Sequence, residues 1–187
     1  MIDELQSSLA KEECSLAFWY FDYQDQDNQT PRNMISAILR QVAATISQIP
    51  KTLVDAHKKF HDSSLPMHEL QNLLIDIIKT HGDTHRTYII IDALDECDEL
   101  SHRRVVLDFI QRLKEILGVR IFVTSRQRPH DINVVFQAYP QIEIEARESD
   151  LMRYMYQEIR GANVEDFVDE KFAKEIVDTI IKKAQGM

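Results

Sequence analysis

Residues 87–99 read T-Y-I-I-I-D-A-L-D-E-C-D-E, a short apolar run followed by a group of acids, and this stretch indicates the fold class. The apolar run from Tyr88 to Ile91 is short and rich in β-branched side chains. Such a run predicts a strand that is buried on both faces of a parallel sheet. The acids that follow it are Asp92, Asp95, Glu96, Asp98 and Glu99.

Grouped carboxylates repel one another unless a cation or solvent relieves the repulsion. In open α/β sheets, ligands bind beyond the carboxyl ends of the strands, which is where these acids are expected. Asp92 is therefore a candidate ligand for Mg²⁺, because this ion binds one or two carboxylates and takes its remaining ligands from waters and substrate phosphates. The alternative is an acidic loop after an ordinary core strand, with Asp92 capping a turn.

Length and composition narrow the possible classes. The 187 residues, 44% of them hydrophobic, predict one globular domain, or one domain with a small appendage. The net charge of -9 argues against nucleic-acid binding and favours partners that are proteins or metal-bridged phosphates. No apolar run approaches the length of a membrane span, and no secretion signal is visible. Two cysteines cannot form a disulfide framework, which predicts a reducing, cytoplasmic location.

Along the chain, apolar periodicity and cap signals predict alternating strands and helices. Thr30 is an expected N-cap with Pro31 at the first helical position, and Gly82 is an expected helix stop. The predicted strands are residues 15–22, 88–91, 119–124 and 141–146. The predicted helices are residues 2–11, 31–50, 52–60, 67–81, 101–118, 131–137, 149–160 and 169–185. This order predicts an α/β fold, a doubly wound parallel sheet followed by a helical C-terminal appendage.

Two motifs together carry a family resemblance. The sequence I-I-I-D-A-L-D-E-C at 89–97 and I-F-V-T-S-R at 121–126 resembles the NACHT class of P-loop NTPases, within the STAND signalling ATPases. The F-W-Y-F-D strand, the Q-T-P-R-N-M helix and the terminal K-A-Q-G-M are similar to the fungal, nephrocystin-3-like branch. The resemblance implies a three-layer P-loop-NTPase-like core over 1–147 and the start of a helical lid over 148–187.

The resemblance also implies roles for particular residues. Asp92 matches the Walker B Asp, which holds Mg²⁺ through water. Asp95 and Glu96 match the acids after it, one of which polarises the attacking water. Arg126, with Ser125 beside it, matches the sensor segment that feels the γ-phosphate of ATP or GTP. The alternative for Arg126 is a salt bridge to the acidic loop on the neighbouring strand.

One family element is missing from these residues. A P-loop needs G-x-x-x-x-G-K-[ST], because glycines let backbone N–H groups close around phosphates. The glycines are Gly82, Gly118, Gly161 and Gly186, and none is followed by Lys-Ser or Lys-Thr. We therefore expect a truncated module whose first, central strand is absent, leaving 119–124 and 141–146 with unpaired edges unless they pair with each other.

Three functions follow as expectations. The first is a fragment of a NACHT/STAND switch, in which Mg²⁺ and ATP or GTP act in the complete module and this piece alone neither binds nor hydrolyses nucleotide well. Its partners are proteins, or further copies through the complete module. The second is a non-catalytic protein-interaction remnant of that fold. The third is a small Mg²⁺-dependent phosphotransfer enzyme using Asp92, Asp95 and Glu96 alone.

Two other features have plainer interpretations. His57 and His61 are four apart on a predicted helix, the spacing of a shared metal, but a solvated helix face accounts for them better. Cys97 lies among acids that raise its pKa, so it is expected to be a poor nucleophile.

Overall fold

The computed structural model describes residues 2–9, 14–61, 64–82, 85–98, 102–127, 129–144, 147–161 and 170–184. Its strands are β1 (Cys14–Tyr20), β2 (Arg86–Asp92) and β3 (Val119–Val123). Its helices are α1 (Ile2–Leu9), α2 (Pro31–Ala44), α3 (Lys51–Lys59), α4 (Met67–His81), α5 (Arg103–Lys114), α6 (His130–Phe136), α7 (Glu148–Gly161) and α8 (Glu170–Ala184). Glu99 and residue 101, where α5 was expected to begin, lie outside the described ranges.

The three strands form one parallel sheet in the order β1-β2-β3. In its register Tyr20 pairs with Asp92, and Ile91 pairs with Val123. The α/β class and the parallel pairing are thus confirmed for the described residues. Because all three strands run the same way, their carboxyl ends meet at one edge of the sheet.

The core covers one face of that sheet. Alternation along the strands puts Ala17, Ile89, Ile91 and Val119 on this face, where all four are buried. The helix side chains packed in the same cluster include Met34, Ile35 and Ile38 of α2, Ile77 and Ile78 of α4, and Phe109 and Leu113 of α5. Burying each large apolar side chain contributes about 1.5–3 kcal/mol, so the strands form a firm base for the loops beyond them.

Two helices with a clear start or stop signal begin where they were predicted, and one of them also ends there. Helix α4 runs from Met67 to His81 as expected. Helix α2 begins at Pro31, and the Thr30 hydroxyl accepts a hydrogen bond from the Asn33 amide at 3.2 Å. It ends at Ala44 rather than near residue 50, because the Thr45 amide turns inward to the Val42 carbonyl and tightens the last turn.

The fourth predicted strand is wrong for the residues that can be compared. Residues 141–144 adopt no strand, and residues 145 and 146 lie outside the described ranges. Ile142 and Ile144 are 80% and 82% exposed. Their alternating pattern matched a strand, but a strand also needs a partner to bond its backbone N–H and C=O groups. The pairing of 119–124 with 141–146, which was the alternative to unpaired edges, is therefore not formed by residues 141–144.

The chain separates into two compact units, Met1–Ala138 and Tyr139–Met187. The first contains the sheet and helices α1 to α6. In the second, α7 packs on α8, and Ala173, Val177 and Ile181 of α8 are buried. In the described ranges, no helix combines the length and the apolar character that crossing a membrane would require.

Candidate functional site

The acidic residues and the T-S-R segment meet at the carboxyl edge of the sheet. Asp92 is the last residue of β2, and Thr124 directly follows β3. The amide of Thr124 donates to the Ile91 carbonyl at 2.9 Å, which continues the ladder one residue beyond β3. The segments after the two strands therefore leave the sheet side by side.

Asp92 is held by Thr124. The Thr124 hydroxyl donates to Asp92 Oδ1 at 2.5 Å and accepts from the Ala93 amide at 2.9 Å. The Leu94 amide donates to the Thr124 carbonyl at 2.9 Å. Ala93 has φ 53°, a left-handed conformation that turns the chain sharply after Asp92. One carboxylate oxygen of Asp92 is thus fixed against the neighbouring strand.

Asp95 and Glu96 lie in a short 3-10 turn, Leu94–Glu96, that the fully buried Leu94 anchors to the core. The Arg126 amide donates to Asp95 Oδ1 at 3.0 Å. The Arg126 guanidinium lies 3.4 Å from Asp95 Oδ2 and 3.2 Å from Glu96 Oε1. The salt bridge from Arg126 to the acidic loop, expected as one interpretation, is confirmed.

Glu96 also reaches the segment that follows β1. Its Oε2 accepts a hydrogen bond from the Tyr23 amide at 3.1 Å. Tyr23 begins the 3-10 turn Tyr23–Asp25, which Asp22 caps by accepting from the Gln24 amide at 2.9 Å. A single carboxylate from the β2 loop therefore joins the loops that follow all three strands.

The paired side chains differ in their contact with solvent. The Asp95 and Glu96 side chains are 8% and 19% exposed, whereas the Arg126 side chain is 76% exposed. The acids are consequently fixed groups, and Arg126 is a long, solvent-facing arm attached to them. Ser125 is exposed, and its hydroxyl donates to the Arg126 carbonyl at 2.9 Å, a bond inside its own turn.

A cavity of about 550 Å³ opens at these loops. The residues lining it are Tyr23, Gln26, Asp95, Glu96, Cys97, Asp98, Arg103 and Arg126. The structure thus brings together Asp95, Glu96 and Arg126 around one cavity. Asp92 and Ser125, which are both described, lie beside the cavity and not in its wall.

Sequence reasoning missed three residues of this arrangement, namely Thr124 as the partner of Asp92, Tyr23 as a backbone donor, and Arg103. Arg103 is 4% exposed. Its position had a usable signal, since it falls three residues before Val106 and seven before Ile110, on the apolar stripe of α5. A charged residue on such a stripe must find polar partners within the protein.

Cys97 is a buried thiol in the cavity wall. Burial raises its pKa to about 12, and Asp98 and Asp131 add to the rise while Arg103 opposes it. The predicted direction is confirmed, but desolvation is the main cause, ahead of the acidic neighbours. A thiol in this state is a poor nucleophile.

The described side chains could bind Mg²⁺ only if phosphates and waters supplied most of its ligands. No group of three or more His, Cys, Asp or Glu able to hold a metal ion occurs among the described residues. Asp92 supplies one fixed carboxylate, which is enough for Mg²⁺ when waters and substrate phosphates complete its shell. His57 and His61 stand with ring centroids 5.8 Å apart, edge to face, and join no such group within the described ranges.

Comparison with known proteins found a family whose model matches the part of the chain that carries these residues. The family model described as "Nephrocystin 3, N-terminal" matches residues 1–126. The match includes all three strands and ends at Arg126, so it contains Asp92, Asp95, Glu96 and Ser125. No curated protein and no solved structure matches the chain.

Proposed function

The chain belongs to the nephrocystin 3 N-terminal family, and on this premise we propose that it is part of a NACHT/STAND-type nucleotide-binding signalling switch. In that proposal the complete module binds ATP or GTP with Mg²⁺ and relays the nucleotide state to protein partners or to further copies. These residues contribute its Walker B and sensor segments. The proposed location is the cytoplasm, and nucleic acid and membrane are not among the proposed partners.

One observation carries the proposal. Two acids after β2 and one arginine after β3 meet at the carboxyl edge of a parallel sheet, with Arg126 in contact with both carboxylates. Phosphoryl transfer depends on placed charges more than on covalent chemistry. The arrangement offers carboxylates that can orient a water and a cation that can meet a phosphate.

Each residue has a distinct proposed part. Asp92 would hold Mg²⁺ through water, and the bound ion would neutralise charge on the phosphates. Glu96 or Asp95 would accept a proton from, or orient, the attacking water, because both carboxylates are fixed in the cavity wall. Arg126 would contact the terminal phosphate, since its exposed side chain is free of the packing that holds the acids.

The phosphate cradle itself does not come from these 187 residues. None of the four glycines begins a G-K-[ST] sequence, so no backbone loop of the P-loop type is encoded here. We therefore propose that this piece alone binds nucleotide poorly and does not turn it over. Activity belongs to a longer protein that supplies the loop.

The second candidate is a non-catalytic interaction remnant of the same fold. The observation that favours it is that Asp95 and Glu96 already share an ion pair with Arg126 and accept hydrogen bonds from backbone amides. Carboxylates satisfied in this way have less need of a metal ion. A remnant would keep the sheet as a scaffold for protein partners.

Upstream sequence and turnover separate the two candidates. The switch requires a G-x-x-x-x-G-K-[ST] segment encoded shortly before Met1, and the remnant does not. In a protein that includes such a segment, Glu96→Gln or Asp95→Asn should lower Mg²⁺-dependent ATP hydrolysis by roughly 100-fold or more. Asp108→Asn, an exposed acid on α5, is the control and should leave turnover unchanged. Wild-type turnover in both site variants would contradict the assignment.

A further inference from the structure

Arg103 is a buried charge whose partners belong to two different segments. Its Nη2 donates to the Asp95 carbonyl at 2.9 Å and to the Cys97 carbonyl at 2.7 Å. Its Nη1 lies 3.4 Å from Asp131 Oδ1, in the first turn of α6. Taking a guanidinium out of water is costly unless hydrogen bonds and an opposite charge compensate, and these three partners provide both.

The two carbonyls stand on either side of Glu96. By bonding residues 95 and 97 together, Arg103 fixes the backbone from which the Glu96 side chain projects, and it fixes the backbone of Asp95 directly. The planar guanidinium can make both bonds at once from one nitrogen while its other nitrogen faces Asp131. The acidic turn is therefore held through its backbone by Arg103 and through its carboxylates by Arg126.

The third partner connects Arg103 to the segment that carries Arg126. Asp131 follows Arg126 by five residues and sits at the start of α6, whose Ile132 is buried in the core. Arg103 thus touches the backbone of the acids and also the helix that ends the segment after β3. Its guanidinium therefore contacts both the acidic turn and the first turn of α6.

We infer that Arg103 is a positioning residue. By holding the backbone of the acidic turn, it keeps the carboxylates of Asp95 and Glu96 in contact with their partners, Arg126 and the Tyr23 amide. The consequence of this positioning for phosphoryl transfer rests on the proposed function, since it requires that those acids act there. The positioning itself is a property of the folded chain and is measurable without nucleotide.

Two backbone amides report on whether the carboxylates keep these contacts. The Arg126 amide donates to Asp95 Oδ1 at 3.0 Å, and the Tyr23 amide donates to Glu96 Oε2 at 3.1 Å. Both residues are exposed, so protection of these amides from exchange with solvent depends on the carboxylates. The amides of Ile89 and Ile91, in the middle strand, report on the stability of the sheet instead.

The experiment is amide hydrogen exchange of the full chain by NMR, comparing wild type with Arg103→Gln. We expect faster exchange at Arg126 and Tyr23, with loss of their protection, while Ile89 and Ile91 keep the wild-type rates. Arg104→Gln is the matched control, because Arg104 is the exposed neighbour on the same helix and should alter none of the four rates.

Two results with a folded Arg103→Gln chain would overturn the inference. Unchanged exchange at Arg126 and Tyr23 would show that the acids keep their places without Arg103. Equal acceleration at all four amides would show that Arg103 only stabilises the fold. If Arg103→Gln does not fold, Asp131→Ala decides, since it removes the α6 acceptor of Arg103 and leaves its two carbonyl partners: faster exchange at Arg126 supports the inference and an unchanged rate overturns it. No nucleotide is present, so a failed switch proposal leaves these outcomes unaffected.

Discussion

Thr124 joins two strand ends through a single hydroxyl group, which donates to Asp92 Oδ1 and accepts from the Ala93 amide. The Ala93 amide belongs to the residue with the left-handed conformation, and the Thr124 hydroxyl is its acceptor. At the residue scale this hydroxyl is what aims the proposed Mg²⁺ ligand, because it fixes one of the two Asp92 oxygens.

Replacing Thr124 by Val removes both hydrogen bonds and keeps the side-chain shape. Leaving a partly buried carboxylate oxygen and an amide without this partner should lower the free energy of unfolding by about 1–3 kcal/mol. Urea unfolding followed by the fluorescence of Trp19, the single tryptophan, measures the change. Thr124→Ser keeps the hydroxyl and should recover most of the stability. Equal stability of the Val and Ser variants would contradict this role.

Cys97 makes stability depend on pH at the alkaline side. Its pKa in the folded chain is raised to about 12, mainly by burial, from the 9.0 of an exposed thiol. A raised folded pKa means that the contribution is complete below about 9 and declines as pH rises toward 12, because the unfolded chain ionises first. In a Cys14→Ser chain, where Cys97 is the remaining thiol, alkylation at pH 9 should be far slower when folded than in urea. Matching rates would contradict the buried, protonated thiol.

At this scale the sequence predicted the acids and Arg126 but not their partners. Asp92, Asp95, Glu96 and Arg126 could be placed together because parallel strands end at one edge. Thr124 carried no separate signal within T-S-R. Tyr23 acts through its backbone amide, and no side-chain pattern reports a backbone donor.

At the element scale, local signals fixed the helices and failed for the last strand. Helices such as α4 carry their whole hydrogen-bond pattern within themselves, so an apolar stripe and an end signal suffice. The pattern at 141–144 predicted a strand, but a strand is completed only by a neighbour elsewhere in the chain. Alternation without a known partner therefore gave a wrong prediction.

The turn before β3 gives a test at the same scale. Gly118 has φ 85°, and a Cβ placed on it would lie 3.2 Å from the Gly82 carbonyl oxygen at the end of α4. Gly118→Ala combines an unfavourable backbone conformation with that close contact and should cost about 1–3 kcal/mol. Thermal unfolding measures it, with Gly161→Ala as the control, since a Cβ there meets no described atom within 4 Å. An unchanged melting temperature for Gly118→Ala would contradict the strained turn.

At the scale of the whole molecule, the parallel direction of the strands was predicted, because alternating strands and helices favour right-handed crossovers between parallel strands. The order β1-β2-β3 comes from the structure. That order is what collects three loops, and hence the acids and Arg126, at a single edge. The nucleotide role proposed for this edge requires a phosphate cradle, which these 187 residues do not encode.

Calorimetric titration with Mg·ATP and Mg·ADP, applied to this chain and to a longer protein that includes an upstream P-loop, tests whether nucleotide binding needs the missing loop. The account predicts no saturable heat for this chain at millimolar nucleotide. It predicts saturable binding by the longer protein, weakened roughly 10- to 100-fold by Asp92→Ala or Arg126→Ala as charge-assisted contacts are lost. Saturable binding by this chain alone that disappears in those variants would contradict the account, and so would binding by the longer protein that neither variant affects.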